Sequence, residues 1–270
     1  MIHVGIDDSW RATGAVEWAV QEARLRGESL YVVHVIEDQE QPGPDANAIV
    51  EEAAEYLAER LEGVEHSASI LVGPPAATLA RSAADSRMLV VGRRGDGLRQ
   101  LLIGSMCEAV AITATVPVVV VPERWTPGDH LGPVIVGVDG TDRDSAALAF
   151  AAEAAAVRKQ PLRLVHVWYQ PAIYSGDLPS IGEEWWQTAK HRLECLADEL
   201  RVAYPDLPVE TEIRSGRPVP EVVAAATDAD AQLLVIGGRN RRWPAKLPGS
   251  VTRGLLEQGD RPLAVVHDLN

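Results

Sequence analysis

The sequence predicts an α/β protein made of two tandem doubly wound domains, each a five-stranded parallel sheet flanked by helices. Three observations carry that prediction: the chain repeats itself once, its apolar runs are short and aliphatic, and helical periodicity fills the intervals between them. Residues 2–7 read IHVGID and residues 134–139 read VIVGVD, an offset of 132 that VVHV at 32–35 and LVHV at 164–167 share. Further on the offset is 145. There LVVGRR at 89–94 matches LVIGGR at 234–239, Gly104-Ser105 matches Gly249-Ser250, and PVVVVP at 117–122 matches PLAVVH at 262–267. A repeat of about 130 residues is far longer than a solenoid unit, so the copies read as domains. The second copy holds 13 extra residues between its second and fourth strands. The expected division is residues 1–125, a Pro- and Gly-containing linker at 126–132, and residues 133–270.

Taken in order, the strand runs of the first copy are HVGI, LYVVHV, SASIL, MLVV and VPVVVV. Four of them show little alternation, as expected of parallel strands covered on both faces. SASIL alternates Ser67 and Ser69 with apolar neighbours, which suits an edge. Residues 15–25 place Val16, Ala19 and Ala23 on one helical side, with Gly27 as the stop. Residues 45–62 repeat the theme with Ile49, Ala53, Tyr56, Leu57 and Leu61. The corresponding helix of the second copy is longer, roughly 183–204, and carries Trp185, Trp186, Leu193, Leu196 and Leu200. Right-handed crossovers turn such a chain into an open sheet, and open sheets bind ligands at the carboxyl ends of their strands.

Composition narrows the function. A net charge of −14 argues against a general nucleic-acid or anionic-membrane binder, because phosphate neutralisation needs Lys and Arg in excess. Two cysteines, Cys107 and Cys195, make no disulfide framework, and a reducing cytoplasm is the simplest expected compartment. No signal peptide is visible in MIHVGIDDSW, and no apolar run is long enough to span a membrane. Neither G-x-S-x-G, H-E-x-x-H, paired CxxC, a dinucleotide G-x-G-x-x-G nor a Walker loop occurs.

Chemistry-bearing residues cluster after the first and fourth strands. Gly92-Arg93-Arg94-Gly95 is followed by eight residues and then Gly104-Ser105, which opens an apolar helical segment from Met106 to Ile112. Glycines allow close backbone approach, Ser105 suits a helix N-cap, and Arg93, Arg94 and Arg99 add local positive charge. That is a phosphate cradle, or else a set of turns and an ordinary cap. Asp7 and its counterpart Asp139 end the first strand of each copy, where a carboxylate bonds a ribose hydroxyl, bridges to a phosphate-bound metal, or caps a turn. His34 and His166 recur in the second strands and read as hydrogen-bonded structural residues, and Trp185-Trp186 as an interface helix.

Together, VGxDxS/T after the first strand, xVHV at the second, the glycine loop with Gly-Ser after the fourth and PVVVV at the fifth resemble the universal stress protein family. The resemblance spans the chain as two tandem family domains, a form common in actinobacteria. It implies Rossmann-like, flavodoxin-like folds paired through their last strands, and in one subgroup ATP or AMP binding without vigorous turnover. By that resemblance Asp7 sits at the ribose or a magnesium ion carried by the phosphates, and Val35 at the adenine. Gly92, Arg94, Gly95, Gly104, Ser105 and the Met106 backbone line ribose and phosphates. The matching positions of copy 2 are Asp139, Val167, Gly237, Arg239, Gly249, Ser250 and Val251.

The departures are specific. The family pattern has nine residues between the second and third motif glycines, and both copies here have eight. Copy 2 replaces the second glycine by Asn240 and inserts Pro244 and Pro248, so copy 1 is the expected nucleotide site ahead of copy 2. Copy 2 is basic here, with Arg239, Arg241, Arg242, Lys246 and Arg253 and no acid between 237 and 253. The expected function is a cytoplasmic nucleotide-binding stress-response regulator or sensor that acts on an unidentified protein partner. It would be an intramolecular pseudo-dimer open to further homodimerisation. The alternatives are a scaffold of the same fold without nucleotide and a slow ATP hydrolase. With only Asp7 or Asp139 to serve as base or metal ligand, efficient catalysis is not expected.

Overall fold

A computed structural model describes residues 1–37, 44–93, 100–123, 125–139, 145–168, 179–238 and 250–268, with backbone alone at 44, 100–105 and 179–185. In copy 1 the elements are β1 (Ile2–Ile6), α1 (Ala15–Arg26), β2 (Leu30–Ile36), α2 (Pro44–Arg60), β3 (His66–Val72), α3 (Pro75–Ser82), β4 (Met88–Arg93), α4 (Gln100–Thr113) and β5 (Val118–Pro122). In copy 2 they are β6 (Val134–Val138), α5 (Ser145–Arg158), β7 (Leu162–Trp168), α6 (Pro179–Ala203), β8 (Val209–Ser215), α7 (Pro218–Asp228), β9 (Leu233–Gly237), α8 (Ser250–Gln258) and β10 (Leu263–Val266).

Each copy has the strand order of a doubly wound sheet, and the two sheets are one. The order is β3-β2-β1-β4-β5-β10-β9-β6-β7-β8, with every pairing parallel except β5 with β10. The antiparallel junction pairs Leu263 with Val120 and Val265 with Val118. The two copies thus pair through their last strands, as the family resemblance implies, and close each other's apolar edge, so an unpaired row of valine amides is avoided. β3 and β8 are the outer edges, in keeping with the alternation in SASIL. One continuous apolar layer joins α1, α2, α5 and α6 to one face, and a second joins α3, α4, α7 and α8 to the other.

Local chemistry sets the helix limits. Gly27 ends α1 in the left-handed conformation, φ 64°, as read from sequence. Its counterpart after α5 is Lys159, which adopts φ 54° despite its Cβ. The enlarged second helix is α6, 25 residues where α2 has 17. Between the copies, Trp125 packs back onto copy 1, where a Cβ on Gly14 would lie 2.4 Å from the Trp125 carbonyl. Gly132 docks on copy 2 by donating to the Asp230 carbonyl at 3.0 Å.

The two copies also meet through charge. Glu22, on α1, is buried and accepts from Arg26 Nε at 2.5 Å and from the Arg158 guanidinium of α5. Arg26 and Arg158 are equivalent by the 132-residue offset, whereas the position equivalent to Glu22 is Ala154. One carboxylate therefore neutralises two symmetry-related arginines that would otherwise repel across the junction. Glu153 adds ion pairs to Arg26 at 3.8 Å and Arg87 at 3.1 Å.

Glu22→Gln removes the buried carboxylate that the two guanidinium groups share, leaving Arg26 only the partly exposed Glu153 at 3.8 Å, and is expected to lower unfolding stability by roughly 3 kcal/mol in urea titration. Lys159→Gly, which removes the left-handed strain, is expected to raise stability by about 0.5–1 kcal/mol in the same assay.

Candidate functional site

In copy 1 the chain leaves β1 toward β2 and leaves β4 toward β5, so the topological switch point is the crevice between the carboxyl ends of β1 and β4. Asp7 stands directly after β1. Its Oδ1 accepts from the Ser9 amide at 2.9 Å and the Ser9 hydroxyl at 2.8 Å, which fixes an exposed carboxylate at the crevice. His34 Nδ1 lies 3.1 Å from the Ile6 carbonyl, and His166 Nδ1 lies 3.0 Å from the Val138 carbonyl. Both histidines therefore tie the end of the second strand to the end of the first, the structural role read from sequence.

Beyond that tie β2 continues without β1. The last β1–β2 pair is Ile6 with His34, and the Ile36 carbonyl is used on the β3 side by the Gly73 amide. Amide and carbonyl of one residue point the same way in a strand and alternate between neighbours, so those of Val35 face the crevice. Copy 2 repeats this. Its last β6–β7 pair is Val138 with His166, and the Trp168 carbonyl accepts from Gly216 on the β8 side, leaving the Val167 backbone directed at the crevice. The side chains of Val35 and Met106 are half-buried on one face of the sheet, and Val167 and Val251 occupy the same face in copy 2.

Three readings of the glycine loop change. Arg93 does not add charge to a phosphate cradle, because its guanidinium donates across the junction to the Leu256 and Gly259 carbonyls at the C-terminal end of α8. Ser105 is not an N-cap. α4 begins at Gln100, since Leu101, Leu102 and Ile103 extend the helix and Gly104 is carried in its interior at about 1 kcal/mol relative to Ala. In copy 2 the helix does start at the motif, with Ser250 the first residue of α8. Gly92 has a neighbour of its own: a Cβ there would lie 2.5 Å from Thr13 Oγ1, so its lack of a side chain serves packing of the β1–α1 connection. Gly237 ends β9 as Gly92 lies near the end of β4. Asp139 is exposed just after β6. Arg94, Gly95, Arg239 and Gly249 lie outside the described residues, as do Asn240 and the basic residues from 241 to 246.

What sequence reading did not find is the reciprocal pair of helix caps beside these loops. His267, at the end of β10, places Nε2 against the Ala111 carbonyl of α4, the residue equivalent to Leu256. Its ring fills the space above Gly238, where a Cβ would come within 2.1 Å of His267 Nδ1, and Gly238 is the counterpart of Arg93. Each copy thus supplies a nitrogen donor to the last helix of the other. The signal was the replacement of Arg93 by glycine where Pro122 becomes His267. Among the described residues no three His, Cys, Asp or Glu side chains converge to hold a metal, and no helix is long and apolar enough to cross a membrane.

The comparisons with known proteins agree with this geometry. The sequence model of the universal stress protein family matches residues 1–122 and again 131–267. A universal stress protein of Mycolicibacterium smegmatis is 30% identical over 291 residues, covering 98% of this chain and 96% of its own. One from Mycobacterium tuberculosis H37Rv is 30% identical, covering 98% and 94%. Among solved structures, a universal stress protein from Archaeoglobus fulgidus superposes with a TM-score of 0.69 at 17% identity, covering 98% of each chain. A functionally unknown Pseudomonas aeruginosa protein gives a TM-score of 0.73 at 17% identity, covering 98% and 92%. At that identity these two likenesses concern the fold.

Cys107 lies under the crevice with its thiol 3.6 Å from the Gly92 carbonyl. Burial pushes this thiol up to about 11, against the opposing pull of the nearby Arg93 guanidinium. Iodoacetamide at pH 8 is therefore expected to modify exposed Cys195 rapidly and Cys107 only on unfolding, as peptide mapping will read. The native state holds the proton more tightly than the unfolded chain. The Cys107 contribution is thus complete below the ordinary thiol value and is lost as pH rises toward about 11, the sign to be read from urea midpoints in wild type against Cys107→Ser.

Proposed function

Because the chain belongs to the universal stress protein family, we propose that it binds an adenine nucleotide, ATP or AMP, at the switch-point crevices and works as a regulatory or sensing module. Residues 1–125 and 133–270 are taken as the two binding units, joined by 126–132. The observations that support the reading are Asp7 directly after β1 at the switch point, the Val35 backbone directed to the same crevice, and the Val35 and Met106 side chains packed on one apolar layer. A donor and an acceptor side by side on Val35 complement the amino edge of adenine, and the apolar pair supplies a slot for its flat ring. The anchored Asp7 carboxylate accepts from a ribose hydroxyl. By the family pattern we assign Gly92, Arg94, Gly95, Gly104 and Ser105 to the ribose and phosphates.

Copy 2 has Asp139, Val167 and Val251 at the matching sequence positions, and by the same pattern we assign Gly237, Arg239, Gly249 and Ser250 to the phosphates. There the start of α8 at Ser250 adds the positive end of the helix dipole. Regulation then follows from differential affinity of a protein partner for loaded and empty forms. Slow turnover is not required by the geometry.

Isothermal titration of ATP into nucleotide-stripped protein is expected to give saturable heat in the micromolar to low millimolar range. Asp7→Ala is expected to weaken the copy 1 site and Asp139→Ala the copy 2 site, each by about tenfold, the loss of one charge-assisted hydrogen bond. Absence of saturable heat at millimolar ATP overturns the reading.

A further inference from the structure

Copy 2 contains a cavity of about 400 Å³ at the carboxyl ends of β6 and β7, roofed by α6. It opens on the sheet face that packs α5 and α6, opposite the face shared by Val167 and Val251. Its apolar lining is Val138, Trp168 and Leu193, and its polar lining includes His166, Thr188 and Arg192, with Asp139 at the rim.

Copy 1 carries different residues at the same place. The C-terminal turns of α2 and α6 correspond with an offset of 143, Leu61 bonding Leu57 as Tyr204 bonds Leu200. By that register Arg192 replaces Ile49, and by the strand offset Trp168 replaces Ile36. Ile49 and Tyr56 pack against the core, and buried Trp10 meets Tyr56 edge to face at 5.1 Å. The position in copy 2 that corresponds to Trp10 is Asp142 in the sequence. Ile49, which packs on the core of copy 1, thus becomes the cation Arg192, and Ile36 becomes the aromatic Trp168.

We propose that this hollow is a second ligand site, distinct from the nucleotide crevice, and that it takes a flat aromatic carboxylate carrying a ring N–H. The assignment follows from the lining. Arg192 makes no hydrogen bond or ion pair with another described residue, and a guanidinium fork matches a carboxylate with two parallel hydrogen bonds. Trp168 and Leu193 offer area to a planar ring. His166 uses Nδ1–H on the Val138 carbonyl, so in the neutral ring Nε2 is an acceptor for a ligand N–H. Arg192 is the only cation among the described lining residues, which suits a single negative charge and disfavours a triphosphate.

Titration calorimetry of the full chain with indole-3-acetate tests this. Saturable binding is expected with a Kd at or below about 1 mM. Arg192→Gln is expected to weaken it about tenfold, and Trp168→Ile, which restores the copy 1 residue, by a comparable factor. Saturating ATP is expected to leave it unchanged, which separates this site from the nucleotide reading. Circular dichroism and urea midpoints report whether each variant folds. Arg192→Lys, which keeps the charge and loses the fork, is expected to bind with intermediate affinity. No saturable heat up to about 10 mM, unchanged affinity in Arg192→Gln, or competitive displacement by ATP each overturns the proposal.

Discussion

The antiparallel pairing of β5 with β10 determines where everything else in this molecule sits. Strands within each copy are parallel, so reversing direction at one junction turns the carboxyl ends of the two halves to opposite rims of a single sheet. The two crevices therefore face away from each other and share no wall. The same pairing aligns α1 beside α5 and α4 beside α8, which makes each apolar layer continuous from one copy to the other. Separating the copies would expose a valine edge strand on each and open both layers at once. The two halves are consequently one folding unit in energetic terms, although the sequence repeats.

Fusing two copies in one chain frees them from being identical, and the junction uses that freedom. A two-fold arrangement of identical units would bring Arg26 against its own image. Here the image is Arg158, and Glu22 lies between them because its own image has become Ala154. The helix caps differ in the same way. Arg93 serves α8 while His267 serves α4, and Gly238 is a glycine because the His267 ring needs the room. Each asymmetry is a pair of changes that make sense only together, which is how buried polar groups retain their partners.

Much of the fold was legible because it follows from periodicity. The 132 and 145 offsets, the unalternating valine runs and the edge character of Ser67 and Ser69 are local properties of the chain, and each maps onto an observed strand. Gly27 was readable as a stop because few residues besides glycine accept φ near 64°. The site was legible only as a set of positions. Nothing in the string Gly92-Arg93-Arg94-Gly95 says that Arg93 turns to the other copy. That choice is made by the pleat and by a helix end 163 residues away. The early start of α4 was hidden for a related reason, since Gly104-Ser105 mimics a helix start while Leu101 to Ile103 quietly continue one. Gly92 has a packing reason that the string does not show, since a Cβ there would meet Thr13.

The last helix of each copy has an end at both rims. α8 starts at Ser250, on the copy 2 crevice, and its final carbonyls at Leu256 and Gly259 are held by Arg93, one residue past Gly92 of the copy 1 crevice. α4 is held at Ala111 by His267, which packs on Gly238, one residue past Gly237 of the copy 2 crevice. A carbonyl end carries partial negative charge, so Arg93 is kept where it is by electrostatics as well as by hydrogen bonds. Burial works against the charged form of Arg93 and lowers its hold on the proton, which makes those two carbonyls its necessary partners rather than optional ones. Moving the Arg93 guanidinium must either carry the C-terminal end of α8 with it or strand a half-buried cation. The crevices face opposite ways, yet the end of β4 at one is tied by a charged side chain to the helix that opens at the other.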